Sequence, residues 1–446
     1  MQDLSLETTL SPLSSLHELC CDLRSVYSIP PEQFDSENIK RGLRNADGTG
    51  VIAGVTRVGS VIGYQIQDGV PMPVPGKLIY RGIDVLDIVE RHRLNDTFGF
   101  EEVAYLLLLG CMPTSGQLRS FDEILSSARK LPDGFTEDMI IKAPSPNVMN
   151  KTARSVLALY SYDRDPDGTS PENLIRQSIE LIGSLPVIVA NADAVRRHYY
   201  NGESLIIHMP QEGLSVAENL LHMLRRDNSF THEEAMLLDL MLILHAEHGG
   251  GNNSTFATRV IASSGSDTYS CISSAIGSLK GPLHGGANAK VMEMFHGVQT
   301  HVADIRDDDE VYHYLKKVLD KEAGDGSGKI YGLGHAVYTV SDPRTLLIKK
   351  YAASLAKQRD YSDEFQLMER IEKQGIRALY EKLGNRKRVC ANVDMYSGLI
   401  YKMLGFPEEL YTPLFAISRI AGWCAHRIEE AMTGGRIIRP AYRVVP

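Results

Sequence analysis

Seven of the fourteen histidines, His245, His248, His284, His296, His301, His313 and His335, lie between positions 245 and 335. Three of their settings are rich in glycine: His245-Ala-Glu-His248-Gly-Gly-Gly, Gly281-Pro-Leu-His284-Gly-Gly-Ala-Asn288 and Gly332-Leu-Gly-His335. Glycine permits unusual backbone angles and close ligand approach, so rings in such turns are expected to be presented rather than buried. Downstream, Asn392-Val-Asp394-Met-Tyr-Ser-Gly398 sets one carboxylate after a short apolar run, and arginines recur at Arg344, Arg419 and Arg439. Imidazoles and a carboxylate are the groups of general acid–base chemistry. Three other readings fail on spacing. His245 and His248 imitate half of a zinc motif, but two rings on one helical face need i,i+4 spacing, and here it is three. The run from Ala323 ends in Gly328-Lys329 like a phosphate-binding loop. Yet Ala323 stands where the first glycine belongs, and Ile330 replaces the magnesium-binding hydroxyl. No serine sits in GxSxG. No metal is expected.

The segments His245–Asn288, Gly332–Arg344, Asn392–Gly398 and Ser418–Pro440 resemble citrate synthase, including the bacterial enzymes that also make 2-methylcitrate. The resemblance continues back through Gly54, Leu78-Ile79-Tyr80-Arg81-Gly82 and Glu101-Glu-Val-Ala-Tyr-Leu-Leu, and covers residues 45 to 446. It implies condensation of oxaloacetate with acetyl-CoA and hydrolysis of the thioester. The alternative is 2-methylcitrate synthesis from propionyl-CoA, and from another class a non-catalytic oxaloacetate or CoA sensor. By similarity, Arg344, Arg419 and Arg439 clamp the oxaloacetate carboxylates, a task that suits a planar bidentate cation. Arg439 is implied to reach in from the partner of a homodimer. His248 is implied to hydrogen-bond oxaloacetate, and Phe415 to pack against it.

The same resemblance makes Asp394 the base that enolises the acyl-CoA, and a carboxylate titrating near about 3.9 is a weak one. His284, neutral, is implied to donate to the thioester oxygen; such a donor is worth about 2.7–4 kcal/mol. His335 is implied to protonate the oxaloacetate carbonyl as the carbon–carbon bond forms. No cofactor is implied beyond the two substrates. Lys349 and Lys350 are candidates for the CoA phosphates. The chain departs from the family where Ser145-Pro146-Asn147 replaces His-Pro-Met, where Ala336, Thr339 and Val340 stand at positions often basic, and at Gly249, usually acidic. That glycine is expected to loosen the loop around His248.

The elements that must position these residues read as helices. The fold class is mainly α: a citrate-synthase-like two-domain helical fold with a small β patch near the N-terminus. The expected domains are a helical extension (1–45), a large domain (46–288), a small domain (289–400) and a return to the large domain with a C-terminal arm (401–446). Ser11-Pro12 opens a first helix with Leu13, Leu16, Cys20 and Leu23 on one stripe. Pro30-Pro31 opens a second, running to about Arg44. Glycines at 54, 59, 63, 69 and 76 punctuate two or three short strands between Val51 and Arg81. Ser170-Pro171 starts a helix that Pro186 is expected to kink or end. Ser215 with Glu218, and Thr231 with Glu234, fit capping boxes. Ser263–Gly281 is rich in small residues and suits close helix packing within or between chains. Asp304–Glu310 reads as a solvated acidic loop.

Formal charge is −9, from 47 basic and 56 acidic residues, which argues against a nucleic-acid scaffold. The most apolar run, Leu237–Leu244, falls far short of the about 18–20 residues that span a bilayer. The first 23 residues carry acids and no Lys or Arg, the wrong charge for a targeting peptide. Six scattered cysteines without a CxxC pair suggest a reducing, cytoplasmic compartment.

Overall fold

The computed structural model describes residues 28–35, 39–45, 49–68, 70–384 and 388–444. They divide into two units, one of the described residues up to 53 with 439–444 and one of those from 54 to 438. The expected helix at Ser11–Leu23 lies outside the described residues. In the smaller unit the single helix expected from Pro31 to Arg44 does not form. α1 is described over Glu32–Asp35, residues 39 and 40 are not helical, and Arg41–Leu43 is a separate 3-10 turn. Gly42 and Leu43 both take left-handed backbone angles there, incompatible with continuing an α-helix.

The larger unit opens on a hairpin. β1 (Gly59–Gln67) pairs antiparallel with β2 (Val70–Tyr80), starting at Gly59↔Tyr80 with a register shift between Ile62 and Tyr64, and β3 (Ile83–Asp84) adds to β2. Asp84 leaves the sheet as the N-cap of α2 (Val85–Asn95), accepting the Leu86 amide at 3.1 Å. The longer elements that follow are all α-helices: α3 (Phe100–Leu109), α4 (Ser115–Ser127), α5 (Val148–Leu159), α6 (Pro171–Asn201), α7 (Val216–Leu224), α8 (His232–His245), α9 (Asn253–Ser263), α10 (Thr268–Lys280), α11 (Ala287–His301), α12 (Asp308–Leu319), α13 (Pro343–Gln358), α14 (Ser362–Leu383), α15 (Asp394–Met403) and α16 (Tyr411–Thr433).

Local signals explain most boundaries. Both expected capping boxes form, Ser215 with Glu218 at α7 and Thr231 with Glu234 at α8. In the stretch that departs from His-Pro-Met, Asn147 caps α5 by accepting the Asn150 amide at 2.8 Å, and Ser145 Oγ accepts the Asn147 amide at 3.3 Å. Two expectations are overturned by tertiary context. Of the two outcomes expected at Pro186, the ending is overturned: α6 continues through it to Asn201. An interior proline costs about 3 kcal/mol. Every residue from 181 to 196 is buried, and that packing offsets the cost. The acidic stretch at 304–310 is not a loop throughout. Asp307 caps α12, and Asp308, Asp309 and Glu310 form its first turn, where carboxylates favour the helix dipole.

α6 is also the one described helix long and apolar enough to cross a membrane, more so than Leu237–Leu244, but 94% of its apolar window is buried inside the protein. α10, with its small residues, packs on α5 and α9. α16 lies at the centre, against α3, α6, α8, α9 and α10. Its Phe415, Arg419, Trp423 and His426 follow helical spacing and share one face.

Candidate active site

That face of α16 meets the turn that ends α8. His245 closes α8 and is fully buried, with its ring 4.5 Å from that of Phe415. Arg419 donates from Nε to the His245 carbonyl at 2.5 Å, and its guanidinium lies 4.7 Å from the Phe415 ring centre. Trp423 donates from Nε1 to Ser254 Oγ at 3.1 Å, at the start of α9. One helix thereby orders the whole segment from His245 to Ser254.

The glycine-flanked histidines are less presented than expected. His245 and His248 are buried, and His284 and His335 are half-buried. The glycines serve the turns themselves. Gly249 takes φ +83°, which favours glycine, and its amide donates to Glu247 Oε1 at 2.5 Å. The turn that carries His248 is therefore pinned, not loosened.

Three further loops bring the other groups. His335 lies before α13. Its Nδ1 accepts the amides of Val337 and Tyr338, each at 3.0 Å, which places the ring proton on Nε2. The ring stacks on Tyr338 at 4.6 Å and meets His248 edge-on at 5.0 Å. Asn392 ties this loop to the approach of α15: its amide nitrogen donates to the Gly334 carbonyl at 2.7 Å, and its oxygen accepts the Asp394 amide at 3.0 Å. Asp342 caps α13 and holds Arg344 in a bidentate pair, at 3.0 Å to Nε and 2.7 Å to Nη2. The Arg344 guanidinium carbon lies 5.9 Å from the Tyr338 ring centre.

His284 sits in the turn between α10 and α11. The Ser254 amide donates to its Nε2 at 3.3 Å, and the Ser254 hydroxyl lies 3.1 Å from the same nitrogen. The ring proton therefore belongs on Nδ1. We expect Ser254→Ala to lower kcat only about three- to tenfold, since the hydroxyl's contacts to His284, Trp423 and Asn252 go while the amide contact to His284 stays. Steady-state kinetics at saturating substrates would read it; an unchanged kcat would remove the hydroxyl from the site.

The electrostatics sort the groups. Burial pushes His245 down to about 3, and His248 well below the ordinary imidazole range, with Arg344 adding to both. Burial and then Arg419 bring His284 down to about 4. All three rings are neutral near pH 7. The Asp394 carboxyl is instead pushed up to about 6 by desolvation, against the pull of Arg344. It is a stronger base than an ordinary aspartate. Burial lowers Arg419 to about 10, opposed by Glu247. Arg344 is held above its usual range, because Asp342 outweighs burial. Three buried polar atoms of this cluster, His245 Nε2, His248 Nε2 and Arg419 Nη1, have no hydrogen-bond partner among the described residues. Buried polar groups are ordinarily paired, so the cluster is built to receive a polar ligand.

The two lysines singled out in the sequence are engaged in ion pairs. Lys349 pairs with Glu372 at 2.8 Å, and Lys350 with Glu90 at 2.9 Å. Arg439 belongs to the other unit, exposed and without regular structure. No group of three or more His, Cys, Asp or Glu among the described residues could hold a metal ion. Sequence reasoning passed over Ser254, Tyr338, Asn392, Glu247, Trp423 and His426. For the last two a signal existed, since they continue the Phe415–Arg419 face by four and seven residues.

A family model described as citrate synthase, C-terminal domain, matches residues 47–441. Citrate synthase of Deinococcus radiodurans is 36% identical, over 82% of this chain and 88% of its own length. 2-Methylcitrate synthase 1 of Corynebacterium glutamicum is 34% identical, over 91% and 95%. Among solved structures, citrate synthase of Thermoplasma acidophilum, in ternary complex with carboxymethyl coenzyme A and oxaloacetate, is similar with a TM-score of 0.75. It is 28% identical, and the match covers 92% of this chain and 97% of that one.

Proposed function

The chain belongs to the citrate synthase family and is an enzyme that condenses an acyl-CoA with oxaloacetate; we propose that its acyl donor is acetyl-CoA and that Asp394, His284 and His335 carry the chemistry. The observation that carries these roles is a carboxyl raised to about 6 and a neutral imidazole lowered to about 4; acetyl-CoA as the donor rests on the similarity to citrate synthases. Removing a proton next to a thioester needs a base on the carbon and a donor on the oxygen, and a neutral donor does not compete with the base for charge.

In this reading oxaloacetate lies among His248, Arg344 and Arg419, with Phe415 against it. The unpartnered Nη1 of Arg419 and Nε2 of His248 supply the polar contacts. Asp394 takes the proton from the acyl carbon. His284, whose Nε2 is engaged by Ser254, offers Nδ1–H to the thioester oxygen. The enolate carbon attacks the oxaloacetate carbonyl, forming the new carbon–carbon bond while His335 gives its Nε2 proton to the carbonyl oxygen. Water then cleaves the citryl thioester, releasing citrate and CoA. Arg439 completes the carboxylate clamp from the partner in a cytoplasmic homodimer. A small domain of about residues 289–400 closes on oxaloacetate, keeping water from the thioester until condensation is done. Lys349 and Lys350 serve the CoA phosphates only by leaving Glu372 and Glu90.

Free-thiol release from acetyl-CoA and propionyl-CoA, each with and without oxaloacetate, tests the reading. Release that depends on oxaloacetate, with the higher kcat/KM for acetyl-CoA, is the expected result. A preference for propionyl-CoA would make the enzyme a 2-methylcitrate synthase, since one methylene is worth only about 1–3 kcal/mol in a pocket.

A further inference from the structure

Between the two histidines of the α8 turn sits Glu247, fully buried. The protein is built closely around it. A Cβ on Gly59 would lie 2.7 Å from Glu247 Cγ, and one on Gly422 would lie 2.5 Å from Oε2, so both β1 and α16 approach as nearly as backbone can. The Tyr80 hydroxyl lies 2.9 Å from the Ile243 carbonyl and 3.2 Å from that of Glu247, and the Gly422 amide donates to the Ala246 carbonyl at 3.1 Å. Oε1 of Glu247 accepts two donors, the Gly249 amide at 2.5 Å and His426 Nε2 at 2.9 Å. The other ring nitrogen of His426 faces Arg259, which donates to Nδ1 from Nε at 3.0 Å and from Nη2 at 2.7 Å. Arg259 is in turn held by Glu429 and, at 2.7 Å, by Glu430. Glu429 also accepts the Arg57 amide at 2.7 Å.

This is a directed chain. Two N–H groups of Arg259 aimed at Nδ1 require a lone pair there, so the ring proton of His426 must lie on Nε2 and point at Glu247. The carboxylate held in this way does two things at once. It fixes the amide next to His248, and its charge sustains that of Arg419, which burial alone would weaken. Glu247 is therefore coupled to both groups that receive oxaloacetate in the reading above, without standing among them.

We infer that Glu247, oriented by His426 and Arg259, is the positioning residue that sets His248 and Arg419 for oxaloacetate. The inference rests on the proposed oxaloacetate site. Glu247→Gln keeps the volume and the acceptor oxygen while removing the charge. It should raise KM and Kd for oxaloacetate about tenfold, with a smaller change in kcat, as the loss of a charge-assisted hydrogen bond would. His426→Phe should raise both constants in the same direction. The double variant should be no worse than the more affected single one, because both break one chain. Calorimetric binding of oxaloacetate to the folded variants, their Tm recorded alongside, reads the inference directly. Thiol release by the wild type separately reads the activity. A wild type that releases thiol, with variants that bind oxaloacetate normally or lose kcat at unchanged KM, would overturn the positioning role and leave the enzyme's function standing. A wild type that neither binds oxaloacetate nor turns over would sink both.

Discussion

Replacing Asp394 with asparagine should lower kcat about a thousandfold while oxaloacetate still binds with near-normal affinity. A positioned general base contributes about 10²- to 10⁴-fold, and the amide cannot accept the proton. The proposed oxaloacetate contacts lie on other elements: His248 after α8, Arg344 on α13 and Arg419 on α16. The same variant should gain stability at neutral pH. The folded-state value of Asp394, about 6, stands above the ordinary value of the unfolded chain. The folded protein therefore binds this proton more tightly. That contribution to stability is present below the unfolded value and is lost as pH rises through about 6, so at pH 7 the charged group is a burden. Removing it should raise stability by about 1–2 kcal/mol, seen as a higher Tm. In the wild type, kcat/KM for the acyl-CoA should fall about tenfold per pH unit below about 6. A variant that keeps a tenth or more of the turnover would remove Asp394 as the base. An acid limb nearer 4 would mean that desolvation does not persist in the working site.

The site's parts were legible in the sequence to different degrees. The helical class, both capping boxes and the Ser170-Pro171 start follow from local chemistry, in which a hydroxyl or carboxylate meets free amides at fixed offsets. Pro186 shows the limit of that logic, because its cost is local while the packing that offsets it comes from elements distant in sequence. The glycine-flanked histidines misled in a related way. Glycine at 249 reports a left-handed turn, and nothing local says whether the turn faces solvent or α16. Roles that depend on tautomer were beyond reach altogether. Ser254 lies 30 residues before His284, and only the folded chain aims its amide at Nε2. Asp342 was nearer to hand. An aspartate before a proline marks a helix cap, and a cap two residues ahead of Arg344 is within reach of its guanidinium.

Arginine 419 is where the shape of a charge should count for more than its sign. Arg419→Lys keeps a cation on α16 but loses the planar fork. In the native protein Nε is committed to the His245 carbonyl and the guanidinium lies against Phe415, so Nη1 is the part left for a ligand. A single ammonium cannot meet the carbonyl, the ring face and a carboxylate in those directions, and burial already works against the charge at this position. We expect KM for oxaloacetate to rise about a hundredfold, near the upper end for loss of one charge-assisted hydrogen bond. The matching change at Arg344 should differ in kind. There Nε and Nη2 are both held by Asp342, so Arg344→Lys should also strand a buried carboxylate and lower Tm. Oxaloacetate titrations of the two variants, set beside their melting curves, separate these outcomes. If Arg419→Lys bound oxaloacetate as the wild type does, charge alone would suffice there. The unpartnered Nη1 would then have no part in recognising the substrate.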